Sequence, residues 1–205
     1  MVATPETRSW TLEDVRRAIW LAYGGPTPER PRLPDLADHL GVSVRTVQRW
    51  LSGTNQPAPK HAQRLRELTA PPAAVLGRQR QERSHLEGTL LAMNAPRGRA
   101  MPRTVRDMGW HHPHRLWHLR NDELQLERLM VTRLDPIKPT PTPAGWKVIA
   151  AITFDNQPLA LAGKYQVLDD VGPWRVAVRP ELVSKGRHEV WLASAPTVDI
   201  TELPH

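Results

Sequence analysis

The segment from Leu36 to Gly53, LADHLGVSVRTVQRWLSG, restricts the possible folds of this chain more than any other part of it. Two short helices that cross at a steep angle need a small residue where they approach each other, and Ala37 provides one. The turn between them needs a residue that adopts a positive φ at low cost, as Gly41 does. Ser43 can then cap the second helix. The order and spacing of these residues predict a helix-turn-helix.

The side chains of this segment divide between an inner and an outer side. Apolar residues at helical spacing are expected to face the core, namely Leu36, Leu40, Val42, Val47 and Leu51. The outer residues are of types that read DNA, since arginine bonds guanine and glutamine bonds adenine in the major groove. The predicted base contacts are Val44, Arg45, Gln48 and Arg49. The predicted phosphate contacts are Ser43, Thr46 and Lys60.

The charge of the chain points to the same class of partner. Lys and Arg together number 28 against 21 Asp and Glu, which gives a net charge of +7. A basic balance favours polyanionic partners, of which nucleic acid comes first. The excess is concentrated in residues 71–134, whereas residues 135–205 carry slightly more acidic than basic side chains. A GC-rich genome accounts for part of the preference for Arg over Lys, but not for the net charge.

Several classes of protein are disfavoured by what the sequence lacks. The chain has no cysteine, which excludes structural disulfides and zinc sites with cysteine ligands. No apolar run approaches the roughly 18 residues of a membrane-spanning helix, and Met1–Glu6 does not have the pattern of a signal peptide. We therefore expect a cytoplasmic protein. No constellation of nucleophile and base, and no acidic metal cluster, indicates an enzyme.

Hydrophobic periodicity, together with the positions of Gly and Pro, predicts an α+β protein. Residues 1–70 are expected to form an all-α helix-turn-helix domain, in which a first helix begins at Thr11. Three short helices are predicted to follow, over residues 33–40, 43–52 and 58–69. A linker over residues 71–83, helical in part, is expected to precede a second domain over residues 84–205. Two glycines in and after the linker argue against one long helix there.

The second domain is expected to have a helical, winged-helix-like part over residues 84–130 and antiparallel strands over residues 131–194. A helix is predicted to begin at Ser84, and two more are predicted over residues 102–108 and 112–121. Runs of alternating or β-branched residues predict the strands. Their ranges are Leu129–Leu134, Trp146–Phe154, Tyr165–Leu168, Trp174–Val178 and Glu189–Ala193.

The stretch Met101–Leu119, MPRTVRDMGWHHPHRLWHL, repeats the order of features of the first motif. Gly109 occupies the position of the turn, and Pro113 suits the first turn of a helix. Leu116 and Leu119 would face inward. These features predict a second DNA-reading unit. Its candidate DNA contacts are Arg103, Thr104, His111, His112, His114, Arg115 and His118.

Two alternatives remain open in this region. Arg97 and Arg99 are spaced as in arms that enter a narrow minor groove, although a solvated basic loop would have the same sequence. His114 and His118 are four residues apart and could bind a metal from one helical face. Arg115 lies between them, however, and no catalytic Glu accompanies them, so we expect neither a metal nor another cofactor.

The chain resembles the immunity repressors of temperate mycobacteriophages, in the group whose repressors act at many dispersed short sites. The resemblance is carried by the motifs DLADHLGVSVRTVQRWLSG and MPRTVRDMGWHHPHRLWHLRNDEL, and by the order of helix-turn-helix, linker and second domain. It implies a sequence-specific double-stranded DNA-binding protein that represses lytic genes, maintains lysogeny and gives immunity to superinfection. It also implies asymmetric sites that a monomer binds.

The small number of base pairs that one recognition helix can contact also favours a chain with more than one reading unit. One such helix covers too few base pairs to be specific in a genome, and most proteins of this kind dimerise on palindromic sites. This chain shows no leucine zipper, so two tethered reading units in one chain are predicted instead. The alternative left open is a second domain that dimerises or senses a ligand. A self-cleaving repressor is disfavoured, because after Ser184 the only lysine is Lys185.

Overall fold

The computed structural model of the chain describes residues 10–93, 106–134 and 142–204. They form two compact units. The first contains the described residues up to Pro72 together with Trp174–His188, and the second contains Ala73–Pro173 and the residues from Glu189 onwards. Helices and an antiparallel sheet are both present, which confirms the predicted α+β class. The predicted domain boundaries need one correction, since Trp174–His188 packs with the N-terminal helices.

The first unit contains four α-helices. They are α1 (Leu12–Tyr23), α2 (Pro34–Leu40), α3 (Val44–Leu51) and α4 (Pro59–Thr69). α1 starts at a capping box, in which Thr11 N donates to Asp14 Oδ2 at 2.8 Å. It ends at Gly24, whose φ of 83° is costly for other residues. The ranges predicted for the other three helices agree with the structure to within one residue at each end.

The four helices share one apolar core. Ile19 of α1, Leu36 of α2 and Val47 of α3 are almost completely buried, and Leu65 of α4 closes the cluster. Four of the five residues that the sequence assigned to the inner side lie in this cluster, and the fifth, Val42, packs against it. The periodicity of the segment therefore predicted the buried side of α2 and α3 correctly.

The second unit contains two α-helices and a four-stranded antiparallel sheet among the described residues. The helices are α5 (Ala73–Met93) and α6 (Gln157–Asp170). The strands are β1 (His114–Asn121), β2 (Leu126–Arg133), β3 (Lys147–Phe154) and β4 (Val190–Leu192). Their order in the sheet is β3-β1-β2-β4, and α6 packs against the first three strands of the chain. β2, β3 and β4 correspond to three of the predicted strands.

Two other predicted strands are wrong. Tyr165–Leu168 lies inside α6, which Asn156 caps by accepting a hydrogen bond from Leu159 N at 3.0 Å. Four residues are too few to distinguish a strand from one turn of a helix by their pattern. Trp174–Val178 joins none of the four strands, and its Ala177 N donates instead to Thr69 O at the end of α4.

The predicted helix over residues 112–121 is also wrong, and with it the winged-helix-like arrangement of residues 84–130. β1 occupies this range, and its burial alternates with the period of two that a strand has. The buried side chains in its first part are His114, Leu116 and His118. Arg115 and Trp117 between them are half-buried. The helix predicted over residues 102–108 lies largely outside the described residues.

The expected linker is part of one continuous helix, α5. Gly77 and Gly88 lie inside it, and no atom other than those of the helix backbone lies within 4 Å of a Cβ at either position. A glycine costs about 1 kcal/mol in a helix interior, and contacts with α6 offset this cost. Tyr165 OH, for example, donates to Glu82 Oε2 of α5 at 2.7 Å. Neither α5 nor any other helix in the described ranges is long and apolar enough to cross a membrane.

Candidate nucleic-acid interface

Two local interactions fix the junction between α2 and α3. Gly41 ends α2 in the left-handed conformation, with φ of 66° and ψ of 34°, and its N–H donates to Asp38 O at 3.1 Å. Ser43 then caps α3, since its Oγ accepts a hydrogen bond from Thr46 N at 3.1 Å. α3 therefore begins at Val44, immediately after the turn.

α3 presents three long polar side chains on one face. Arg45, Gln48 and Arg49 are exposed, whereas Val47 and Leu51 are buried. Positions separated by three and four residues are neighbours on a helix surface, so the three exposed side chains stand together. Within residues 10–93, 106–134 and 142–204, none of them uses its side chain in a hydrogen bond or ion pair. Their hydrogen-bonding groups are thus available to an external ligand.

The other predicted contacts of this unit differ in exposure. Ser43 and Lys60 are exposed, while Val44 and Thr46 are half-buried. Val44 packs against the core of the unit, which limits the part of its side chain that could meet a base. The hydroxyl oxygens of Ser43 and Thr46 are 2.9 Å apart and share a hydrogen bond.

The C-terminal end of α3 is held by contacts that the sequence reasoning missed. Arg16 of α1 donates from Nε to Leu51 O at 3.0 Å, and its Nη2 donates to the same oxygen. A cation is favourable at this end of a helix, where carbonyl groups lack partners. The Trp50 ring lies 5.4 Å from the ring of His61 in α4. The only sequence signal for Arg16 is its position beside the apolar stripe of α1.

Arg16→Ala is expected to lower the free energy of unfolding of the first unit by about 1–2 kcal/mol, because it removes a charge-assisted hydrogen bond to a helix end. Urea unfolding measured by hydrogen exchange at the amides of α3 tests this. Arg32→Ala is the matched control, since Arg32 pairs with Asp35 at an exposed position and is expected to change stability little. Equal effects of the two variants would show that Arg16 does not hold α3.

In the second unit, two of the predicted DNA contacts are buried. His114 and His118 are 5% and 3% exposed on the inner side of β1. His118 Nε2 donates to Glu127 Oε2 of β2 at 3.0 Å, and His114 Nδ1 lies 2.8 Å from His112 O. These two side chains face the interior of the second unit and are not accessible to DNA. The prediction was wrong because it projected a strand onto a helical wheel.

Because His114 and His118 lie on a strand and not on a helix, they do not form the possible metal-binding pair. Residues four apart on a strand are separated by about 13 Å, since each residue advances the strand by about 3.3 Å. His114 and His118 therefore cannot share a metal ion. Among the residues that the structure describes, no group of three or more His, Asp or Glu side chains could hold one.

The outer side of β1 carries a different set of side chains. The guanidinium of Arg115 lies 5.1 Å from the centre of the Trp117 ring, and Arg115 Nε donates to Thr153 Oγ1 at 3.3 Å. Trp117 Nε1 donates to Thr132 Oγ1 at 2.8 Å. We call these four residues the Arg115–Trp117 patch. Of them, the sequence predicted only Arg115. The alternation of β1 places Trp117 on the same side, and the pairing of β1 with β2 and β3 brings Thr132 and Thr153 opposite Arg115.

The remaining histidines of the second motif stand at the entrance to β1. His111 and His112 are half-buried, and their ring centres are 4.1 Å apart. Loss of solvation, followed by the positive charge of Arg133, holds the pKa of His112 below its ordinary value. This shift favours the uncharged form of the His112 ring. The predicted contacts Arg97, Arg99, Arg103 and Thr104 lie outside the described residues.

Comparison of the chain with family models, with curated proteins and with solved structures gave no match. The resemblance to phage immunity repressors therefore rests on the sequence motifs alone. The first of these motifs coincides with α2, the turn at Gly41 and α3, which carry the exposed face of Arg45, Gln48 and Arg49.

Proposed function

We propose that this chain is a sequence-specific double-stranded DNA-binding protein whose α3 enters the major groove. The proposal rests on the exposed face of Arg45, Gln48 and Arg49, which no side chain of the described residues engages. α3 has eight residues. An α-helix with its side chains is about 10–12 Å across, which suits a major groove about 12 Å wide. The arginine forks fit guanine edges, and the Gln48 amide fits adenine.

The proposed role is that of a transcriptional repressor, specifically a phage immunity repressor that maintains lysogeny in the cytoplasm of a bacterial host. The support for this role is the resemblance of the two motifs and their order along the chain. A net charge of +7 suits a protein that works on a polyanion. The chain is not expected to be an enzyme.

The second unit is proposed to contact the same DNA molecule, so that one chain reads an asymmetric site. The segment that was expected to form a second reading helix is the strand β1. We therefore propose that the Arg115–Trp117 patch contacts the DNA. Strands can contact DNA directly, as in proteins that read it with a β-ribbon. Arg115 would provide the positive charge, and the hydroxyl of Thr153 beside it would donate to a phosphate oxygen.

One observation favours the alternative in which the second unit senses a ligand. A cavity of about 590 Å³ is lined by residues of α5 and α6. Leu86, Trp110 and Leu161 give it apolar walls, and the buried Oε1 of Gln157 has no hydrogen-bond partner in the described part of the chain. Cavities of this size bind small molecules in many proteins. An effector bound there would act by changing the affinity for DNA.

A quantitative footprint of the full chain, on fragments of the genome that encodes it, tests the proposed function, with the mass of the complex measured in parallel. We expect a protected asymmetric site that holds one chain. A symmetric site that holds two chains would make the second unit a dimerisation domain. The absence of any protected sequence at a salt concentration of about 0.1 M would contradict the DNA-binding proposal itself.

A further inference from the structure

The cavity of about 590 Å³ beside α5 and α6 lies wholly within the second unit, because every residue that lines it belongs to that unit. A volume of this size is large enough for one small molecule. Leu86, Trp110 and Leu161 give the cavity apolar walls, to which Pro158 adds its ring. The cavity therefore favours a ligand with an apolar body.

Two of the charged side chains at the cavity neutralise each other. Lys164 Nζ donates to Glu189 Oε1 at 2.6 Å, and the two side chains are only 11% and 24% exposed. Each charge already has its counterion at short range, where solvent screens the attraction weakly. A charged ligand would therefore gain little from either partner of this ion pair.

Two further charged side chains of the cavity, Arg78 and Glu82, stand side by side on α5. They are four residues apart, so they share one face of the helix. In the parts of the chain that the structure describes, Arg78 makes no hydrogen bond or ion pair, and no cation pairs with Glu82. Tyr165 OH donates to Glu82 Oε2 at 2.7 Å, which positions this carboxylate. The cavity thus has one positive and one negative charge that a ligand could pair with.

Gln157, the first residue of α6, gives the cavity a hydrogen-bond acceptor. Its Oε1 is buried and has no hydrogen-bond partner within the described ranges. A buried acceptor without a donor is unfavourable, because it has lost its bonds to water and gained none from the protein. A ligand that brings an N–H group to this oxygen would remove that cost.

We propose that this cavity binds a free amino acid with a large apolar side chain. Arg78 pairs with the carboxylate of the amino acid through two parallel N–H···O bonds. Glu82 pairs with its ammonium, which also donates to Gln157 Oε1, and the apolar walls surround its side chain. The two opposite charges on α5 match a ligand that carries a carboxylate and an ammonium on one carbon. Free amino acids carry this pair, whereas a residue within a peptide does not.

Binding of the amino acid does not depend on the proposed DNA-binding function, because all of its contacts come from the second unit. An effect of the bound amino acid on the affinity for DNA would rest on that function. Measurements on the full chain without DNA therefore decide the binding by themselves, and a failed footprint would leave their outcome unchanged.

Titration of the full chain with L-phenylalanine, L-leucine and L-tryptophan, followed by the amide NMR signals, tests the ligand class. We expect at least one of them to shift the signals of α5 and α6 in a saturable manner, and not those of α3. 3-Phenylpropionate lacks the ammonium and phenethylamine lacks the carboxylate. Each is expected to bind about tenfold or more weakly than L-phenylalanine, because each loses a charge-assisted contact. Glycine, which has no apolar side chain, is expected to cause no saturable shift.

Two results of this titration would overturn the ligand class. One is that none of the three amino acids shifts the signals of α5 and α6 at concentrations up to about 10 mM. The other is that 3-phenylpropionate or phenethylamine binds as tightly as L-phenylalanine, since the cavity would then recognise only an apolar body with one charge.

Two matched variants of α5 test the site itself. Arg78→Ala is expected to weaken amino-acid binding about tenfold or more. Arg80→Ala removes the same charge from an exposed position of the same helix that does not line the cavity, and it is expected to leave binding unchanged. Both side chains are exposed, so both variants should keep their fold. Equal binding by the two variants would refute the pairing of Arg78 with the carboxylate.

Glu82→Gln separates the role of the ammonium from that of the carboxylate. The variant keeps an acceptor for Tyr165 OH and loses the negative charge. We expect its affinity for L-phenylalanine to fall about tenfold, while its affinity for 3-phenylpropionate does not fall. A similar loss for both ligands would mean that Glu82 only holds the cavity in shape, which would contradict its pairing with the ammonium.

Discussion

Arg45→Ala is expected to weaken binding to the preferred DNA site about 5- to 150-fold, which corresponds to about 1–3 kcal/mol for one bidentate contact with a base. Arg45 is exposed in the first turn of α3, and its side chain pairs with no other side chain of the described residues. The variant should therefore lose a DNA contact and keep its fold. Binding is measured on the preferred site and on versions in which each base pair is changed in turn. The variant is expected to lose its preference at one position.

Arg66→Ala is the matched control for this experiment. Arg66 is an exposed residue of α4, and its replacement removes the same charge from another helix of the same unit. We expect Arg66→Ala to keep the base preference at every position. If Arg45→Ala weakened binding equally on all sequences, Arg45 would be a phosphate contact. Unchanged affinity would remove α3 from the interface.

Glu127→Ala is expected to lower the free energy of unfolding of the second unit by about 2–4 kcal/mol, because it breaks a buried ionic network. Glu127 accepts hydrogen bonds from His118 Nε2 at 3.0 Å and from Arg120 Nη1 at 3.3 Å. The side chains of His118 and Glu127 are only 4% and 11% exposed. Alanine would leave the buried ring nitrogen without its acceptor. Urea unfolding measured by hydrogen exchange at the amides of β1 and β2 reports on this unit separately.

Two variants serve as controls for Glu127→Ala. Asp122→Ala removes an exposed carboxylate that pairs with Arg120 and Lys147, and it is expected to change stability little. Glu127→Gln keeps an acceptor oxygen and should cost less than alanine. If Glu127→Ala were no more harmful than Asp122→Ala, the buried network would contribute nothing to the stability of the sheet.

The α2–α3 region was predictable because its determinants are local. Gly41 takes a positive φ, Ser43 caps α3, and apolar residues recur at helical spacing, all within about 20 residues of each other. These requirements hold whatever the rest of the chain does. The exposure of Arg45 and Arg49 then follows from the burial of the opposite face of the helix.

The second motif was not predictable in the same way. Leu116 and Leu119 are three residues apart, which fits a helix, while Leu116 and His118 fit the alternation of a strand. The pairing of β1 with both β2 and β3 decides between these readings. Those partners lie up to 40 residues further along the chain. A local sequence pattern contains no information about these pairings. His114 and His118 were therefore predicted to be exposed, although they are buried.

The sequence by itself determined the α+β class, the four N-terminal helices and the face of α3 that carries Arg45, Gln48 and Arg49. Short-range rules of capping, turn geometry and periodicity are sufficient for these features. Only the tertiary structure decided that His118 is buried against Glu127, and that Trp174–His188 packs against the ends of α1 and α4. Both depend on pairings between distant parts of the chain, whose energies arise only once the two partners are brought together by folding.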